Sequence, residues 1–485
     1  MNKKKMVFNG SSAIKDYLNP NNYPYTPMVE IDLPKSLQNK NIHIFAKLMS
    51  LNPLGNVKAI PSYNMIKSAY ECGDLKGVNT LIESSSGNTA FSIASIGCAF
   101  GVKKTKAIVS HEILEGKLQL LRLFGTEIEI IEEPICPDPE DKNSGIYKAK
   151  EMGTEKGYFN PSQYDNVANP LSHKNLTGKQ IWEQTNGNIT VFCAGLGTTG
   201  TMVGAASFLK KKNKNVQTVG VVRTPNNPVP GPRTASLLKM TAFEWKEYVN
   251  HLIEIGTIAS FENSLKLIRS GIVVGPSSGF ALAGLIKFLE EKSKNKTLKE
   301  LRNKNGEIVC VFICCDGPLP YLKEYFEYLD DKFFPKVRNE HLLIYKKRKN
   351  TQIIHNEDDK IMVTPRKAFK EIFINSEDDV WQKLKDGGEI RLSKNVMVVD
   401  IRLPLEFNHF HIPGSINFNS TKINTNILSK LRGKKVYVVC NFGSLSYAFA
   451  KSLIKNGILA FSISGGLIEW SNINLPRWKP DVCKK

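Results

Sequence analysis

Between about residues 25 and 325, short apolar runs rich in β-branched residues alternate with helical stretches. The pattern predicts strands at 42–47, 80–83, 106–109, 127–131, 189–194, 218–222 and 308–314, with helices such as 62–72 and 202–212 between them. Strand–helix alternation of this kind belongs in a mostly parallel sheet with helices on both faces. Chemistry in such a sheet gathers in the loops at the carboxyl ends of the strands. From about 335 to 376 the periodicity fades and charges crowd, which reads as a linker with some local structure. A second compact unit follows, with parallel strands expected at 395–400, 435–440 and 460–464. The chain therefore reads as α/β throughout: a large unit over 1–334, a linker over 335–376 and a small unit over 377–485.

Composition changes this picture little. The length of 485 residues allows about three domains. Hydrophobic residues at 41% and charged residues at 23% exclude disorder as the dominant state. No apolar run reaches the roughly 18 residues of a membrane span, and the basic start Met1-Asn2-Lys3-Lys4-Lys5 lacks the apolar stretch of a secretory signal. The 66 Lys+Arg against 46 Asp+Glu leave a net charge of +20. Lysine is spread along the whole chain, so the surplus reads as general composition, with neither nucleic acid nor membrane as partner. The densest run, Lys346-Lys347-Arg348-Lys349, falls in the linker and reads as a solvated segment. Nine cysteines at irregular spacing, none in a CxxC pair, indicate a reduced cytoplasmic protein with no cysteine-held metal.

Three loops of the large unit carry candidate chemistry. Asn52-Pro53-Leu54-Gly55-Asn56-Val57-Lys58 follows a strand and precedes a helix, which sets Lys58 at a sheet's carboxyl edge. Taken alone, such a lysine is usually a surface group. Ser84-Ser85-Ser86-Gly87-Asn88-Thr89 places small hydroxyl residues and a glycine at a helix start, either an anion site or an ordinary N-cap. Gly195-Leu196-Gly197-Thr198-Thr199-Gly200-Thr201 satisfies the GxGxxG pattern. The next strand ends at Val222-Arg223-Thr224 without the acid that NAD binding expects, which leaves NADP or a single phosphate as the ligand.

Together these segments resemble the fold type II pyridoxal-phosphate enzymes, in the cysteine synthase and cystathionine β-synthase branch. The resemblance spans roughly residues 20–325. Thr26-Pro27-Met28-Val29 is similar to the family's TPLV, the Lys58 loop to NPxGSVK, and Ser85–Thr89 to TSGNT. Gln163-Tyr164-Asp165-Asn166-Val167-Ala168-Asn169-Pro170, followed by Thr177-Gly178, resembles QFxNxANP. Gly197–Thr201 resembles GTGGT, and Gly275-Pro276-Ser277-Ser278-Gly279 resembles GISSG. Six motifs in order overrule the NADP reading. The resemblance implies pyridoxal 5'-phosphate as cofactor, two open α/β subdomains and a homodimer. It implies that Lys58 takes the cofactor's aldehyde and later acts as base at the substrate Cα. Asn88 would meet the ring hydroxyl, and Gly197, Thr198, Thr199, Gly200 and Thr201 would cradle the phosphate. Ser85, Ser86, Thr89 and Gln163 would clamp the substrate carboxylate. Desolvation in a crevice is the physical route to a deprotonated Lys58.

The sequence departs from the family at informative positions. Thr199 stands where the family has Gly, and Ala59-Ile60 where it commonly has Asp-Arg. In Cys314-Cys315-Asp316-Gly317, simple counting puts Asp316 in the place of the serine that faces the pyridine nitrogen; a slip of one residue puts Cys315 there instead. Arg223 and Arg233 are extra positive groups, either surface arginines or a preference for a phosphorylated leaving group.

In the C-terminal unit, Asp400-Ile401-Arg402-Leu403-Pro404-Leu405-Glu406-Phe407, then His411-Ile412-Pro413-Gly414-Ser415-Ile416-Asn417, then Cys440-Asn441-Phe442-Gly443-Ser444-Leu445-Ser446, Gly465-Gly466 and Trp470, resemble a single rhodanese domain. A cysteine between a strand end and a helix start is a reactive-thiol arrangement, because successive N–H groups stabilise negative charge on sulfur. By the resemblance Cys440 carries persulfide. Leu445 replaces the family's common Arg, which places thiosulfate turnover in doubt. The expected activity is β-replacement on O-acetylserine or O-phosphoserine by a sulfur donor, giving cysteine or a related amino acid. The alternative is β-elimination, with the rhodanese unit as a docking or sulfur-sensing module.

Overall fold

The computed structural model describes residues 6–85, 87–133, 138, 140–339, 361–418 and 425–479. The chain divides into two compact units, Met1–Phe334 and Pro335–Lys485.

The first unit contains strands β1 (Met28–Glu30), β2 (Ile42–Leu48), β3 (Thr80–Ser84), β4 (Lys104–Ser110), β5 (Glu127–Ile131), β6 (Tyr158–Phe159), β7 (Val191–Gly195), β8 (Gln217–Arg223), β9 (His251–Ile255) and β10 (Ile308–Cys314). They form two sheets, in the orders β1-β2-β10-β7-β8-β9 and β5-β4-β3-β6. Apart from the antiparallel edge strand β1, neighbouring strands run parallel. This matches the expected pair of α/β subdomains. β10 shows why the sequence demands it: Ile-Val-Cys-Val-Phe-Ile-Cys is buried at every position, as befits a central strand covered on both faces. Each large side chain buried there contributes about 1.5–3 kcal/mol. Ile44, Cys193, Val221, Phe280 and Phe312 share one core on one side of the large sheet, and Phe192, Leu196, Met202 and Val311 share another.

Short strands escaped the sequence reading. β1, β6 and β9 are edge elements with little apolar signal; β9 reads His-Leu-Ile-Glu-Ile, with two of its five positions exposed.

The second unit has one parallel sheet, ordered β11-β15-β14-β12-β13, from β11 (Met362–Val363), β12 (Val396–Asp400), β13 (Ile416–Asn417), β14 (Lys435–Val439) and β15 (Leu459–Ile463). Residues 361–376, expected within the linker, are folded into this unit instead. β11 pairs with β15, and the helix Pro365–Ile372 buries Ala368, Phe369 and Ile372, with Phe369 beside Trp470 at 6.1 Å between ring centroids. Charged residues on the helix's outer face masked its apolar stripe. Ser376 opens the helix Glu377–Asp386 through a capping box with Asp379. The basic run Lys346–Lys349 lies outside the described residues.

Candidate active site

Lys58 is the last residue before the helix Ala59–Cys72. Its main-chain N–H donates to Asn56 Oδ1 at 2.8 Å, and Asn56 Nδ2 donates to Leu54 O at 2.7 Å. Asn56, in the family's serine position, thus folds the loop onto itself. Val57 N donates to Cys315 O at 2.7 Å, which sews the lysine loop to the end of β10. The Lys58 amine lies 3.2 Å from Thr198 Oγ1 and lines a cavity. Burial lowers its pKa to about 8, while Cys315 and Glu83 pull the other way.

Three further loops converge on the same cavity. Ser85, Gly87, Asn88 and Thr89 line it from the start of the helix Asn88–Ala99. Thr89 Oγ1 donates to Gln163 Oε1 at 2.7 Å, and Gln163 Nε2 donates to Ser84 O at 3.0 Å. Asn169 Nδ2 donates to Gln163 O at 2.7 Å, and the same amide lies against Gly200, where a Cβ would come within 2.2 Å of Asn169 Oδ1. A side chain at Gly200 would have to displace the buried Asn169 amide. Gly195, Gly197, Thr198, Thr199 and Thr201 line the cavity between β7 and the helix Gly200–Lys212. Thr199 holds φ at +66°, where glycine sits without strain, and its Oγ1 is buried with no hydrogen-bond partner. Ser86 lies outside the described residues.

Of the two residues offered for the ring nitrogen, Cys315 lines the cavity, as does Ser277, and Asp316 is not among the lining residues. The Asp316 carboxylate is drawn aside, with Oδ2 accepting from Asn88 Nδ2 and from the Tyr321 hydroxyl, each at 2.6 Å. Burial raises its pKa, against Lys117 and these two donors. Burial, then the Asp316 charge, pushes the Cys315 thiol up to about 12, so it stands neutral.

Several buried residues in or behind the cavity wall carried no readable signal. Glu83 accepts the N–H of Ser84 and of Gln163, both at 3.1 Å, and burial raises its pKa to about 8 against these donors. His173, fully buried and lowered by burial to about 3, is neutral; it bridges Thr177 Oγ1 at 2.9 Å and Thr201 Oγ1 at 3.1 Å. Lys117, Glu133 and Arg233 line the cavity itself. Arg233, weighed as a surface arginine, is 1% exposed.

In the second unit, Cys440 follows β14 and is buried. Its Sγ accepts from Gly443 N at 3.1 Å and Ser446 N at 3.4 Å, and lies 3.3 Å from Ser446 Oγ. Arg402 is buried against Asp400, at 2.8 Å, and also donates to Phe410 O. Leu445 is 66% exposed.

Among known proteins, the family of pyridoxal-phosphate dependent enzymes matches residues 21–313. The chain belongs to that family. A rhodanese-like domain matches residues 376–473. The cysteine synthase of Staphylococcus aureus is 32% identical over 292 residues, 58% of this chain and 91% of that protein. Cysteine synthase B of Salmonella typhimurium is 30% identical over 298 residues, 60% of this chain and 90% of that one. Among solved structures, a hydrogen sulfide-producing enzyme from Fusobacterium nucleatum aligns at 25% identity and TM-score 0.54, covering 65% of this chain and 100% of that one. A cysteine synthase from Entamoeba histolytica aligns at 22% identity and TM-score 0.55, covering 70% and 98%, a likeness of fold.

Pyridoxal phosphate, the family's cofactor, fits the residues present. The unpartnered Thr199 hydroxyl and the N-terminus of the helix Gly200–Lys212 suit a phosphate. At Gly197 a Cβ would meet Gly231 O at 2.7 Å, so only glycine keeps that wall open. Lys58 supplies the amine. Among the described residues, no helix is long and apolar enough to cross a membrane.

Proposed function

We propose that this enzyme replaces the β-substituent of an O-activated L-serine, O-acetylserine or O-phosphoserine, with a sulfur nucleophile. The observation that carries the reading is the convergence of Lys58, lowered to about 8, with the Ser85–Thr89 loop and the Gly197–Thr201 loop on one cavity. Gly197, Thr198, Thr199, Gly200 and Thr201 hold the cofactor phosphate. Ser85, Ser86, Thr89 and Gln163 hold the substrate carboxylate, and Asn88 meets the ring hydroxyl. Cys315 takes the position beside the ring nitrogen. Bound there, pyridoxal phosphate supplies a sink for the electron pair left at Cα. Lys58 accepts the Cα proton, the β-substituent leaves, the sulfur nucleophile bonds to the β-carbon, and Lys58 returns a proton to Cα.

The second unit carries sulfane sulfur as persulfide on Cys440, held by the main-chain donors of Gly443 and Ser446. Two equivalents of a thiol reductant release it as sulfide, with one disulfide formed and Cys440 regenerated. Linkage within one chain raises the local supply of sulfide. The enzyme is read as a cytoplasmic homodimer acting on small molecules; its free thiols at all seven described cysteines fit a reducing compartment.

A second reading is β-elimination with a non-catalytic second unit. It draws support from Leu445, which leaves the Cys440 loop without the cation of the rhodanese pattern, and from the likeness to a hydrogen sulfide-producing enzyme. The test is direct. The purified holoenzyme receives O-acetylserine or O-phosphoserine, and its visible absorption is followed before and after sulfide. An absorption change with one donor, then cysteine on adding sulfide, is expected. Pyruvate and sulfide released from cysteine, without either change, would establish elimination instead.

A further inference from the structure

Asp316 stands where three loops of the site cross, yet it is not among the residues of the cavity wall. Its main chain pairs with Asn56 of the Lys58 loop in an isolated antiparallel bridge, and its carbonyl accepts from Gly275 N at 2.8 Å. Its side chain, 4% exposed, reaches the third loop, where Oδ2 accepts from Asn88 Nδ2 and from the Tyr321 hydroxyl, each at 2.6 Å. Tyr321 is fully enclosed, so the acceptor is itself held. A Cβ at Gly275 would come within 2.4 Å of Asp316 Oδ1, so that glycine leaves the room the carboxylate occupies. Oδ1 is buried without a hydrogen-bond partner. A buried carboxylate with one oxygen unpaired is costly, and an apolar side chain fills such a space without that cost. The acid is accounted for by the donors on its other oxygen.

We infer that Asp316 is a positioning residue: it fixes the Asn88 amide in the orientation that meets the cofactor's ring hydroxyl. The inference rests on the reading that Asn88 makes that contact. An asparagine amide has a donor end and an acceptor end of nearly the same shape, and either end can face a neighbour. A carboxylate oxygen accepts, so the nitrogen end of Asn88 faces Asp316. The choice is made in the protein alone, because Tyr321, Asn56 and Gly275 hold the acceptor in place. Asn88 lines the cavity and can touch the ring; Asp316 does not, and acts through Asn88. Such preorganisation removes the cost of ordering Asn88 when the ring arrives. A hydrogen bond to a carboxylate is also about twice as strong as one between neutral groups, so it holds the amide firmly.

Two forms of the cofactor separate this role from a structural one: pyridoxal 5'-phosphate, and 3-deoxypyridoxal 5'-phosphate, which lacks the ring hydroxyl. The full-length apoprotein is titrated with each, and the dissociation constants are read from the absorption change. Asp316→Ala should weaken pyridoxal phosphate by about tenfold and leave the deoxy form within about twofold of wild type. Asn88→Ala should do the same, and the double variant should bind no more weakly than Asn88→Ala alone, since one residue acts through the other. Asp316→Asn keeps the volume and loses the charge, so its selective loss should be smaller, about threefold; it decides the matter should the alanine variant not fold. Equal weakening of both forms, as a loosened fold gives, would overturn the proposal. So would additive losses in the double variant, or an unchanged preference in the Asp316 variants. Asn88→Ala without selective loss would bring down the ring-hydroxyl assignment of Asn88 itself, and the proposal with it.

Discussion

In the second unit, the sulfur of Cys440, the N–H groups of Gly443 and Ser446 and the Ser446 hydroxyl come from one short segment, the loop after β14 and the first turn of the helix Ser444–Lys455. In the first unit, the groups around Lys58 come from loops scattered between Val57 and Cys315, and no two of them meet without the sheets that carry them. A site made from one segment is open to change at one position, such as Leu445. A site made by convergence is altered by register, since one step along the turn after β10 separates Cys315, in the cavity wall, from Asp316. Local sites thus record their chemistry in spacing, whereas convergent sites record it in the turn after a strand.

Four experiments would break or sharpen this contrast. The largest effect is expected from Lys58→Ala, which should lower β-replacement by about a thousandfold or more and abolish the visible absorption band. The same variant should still form persulfide at Cys440, detected by mass spectrometry, whereas Cys440→Ser should not. Loss of persulfide in the Lys58 variant would mean the two sites are not independent.

Next is pH. A lysine lowered to about 8 is an ammonium below that value and a free amine above it. The rate at which apoprotein captures pyridoxal phosphate should climb about tenfold per unit up to pH about 8 and then level off. A rise continuing to the ordinary lysine range would show that burial does not set the value. Third, Leu445→Arg should raise sulfur transfer from thiosulfate by about tenfold, the effect of a nearby opposite charge worth about 1.4 kcal/mol. No gain would place the control of this loop elsewhere. The smallest effect is expected from Thr199→Gly. Relief of the left-handed strain is offset by added chain entropy, so apoprotein stability should change by less than about 1 kcal/mol. A denaturation shift well beyond that would mean the Thr199 hydroxyl holds the empty loop together.

Much of the molecule was legible. The long strands were found within one or two residues, because parallel strands buried on both faces are continuous apolar runs. Lys58, Ser85, Thr89, Gln163 and the Gly197–Thr201 loop were legible through motif order, and the cavity gathers them. What stayed hidden has physical causes. β11 and the helix after it looked like linker because one strand has two residues and the helix is heavily charged outside. The choice between Asp316 and Cys315 stayed open because spacing alone does not show that Asn88 and Tyr321 hold the Asp316 carboxylate. His173 and Glu133 are single polar residues in ordinary surroundings, and only the fold sets His173 behind Thr201 and Glu133 in the cavity wall.

The amide of Asn169 has a consequence beyond packing. One end of the residue's contacts fixes the Gln163 carbonyl, proposed to serve the substrate, while its amide abuts Gly200, proposed to serve the phosphate. Two ligands that press on the same side chain are thermodynamically coupled, and the coupling must be reciprocal. Cofactor and amino acid would then each tighten the other by the same factor, without any moving lid, and Asn169→Ala would show it as two binding constants that cease to depend on one another.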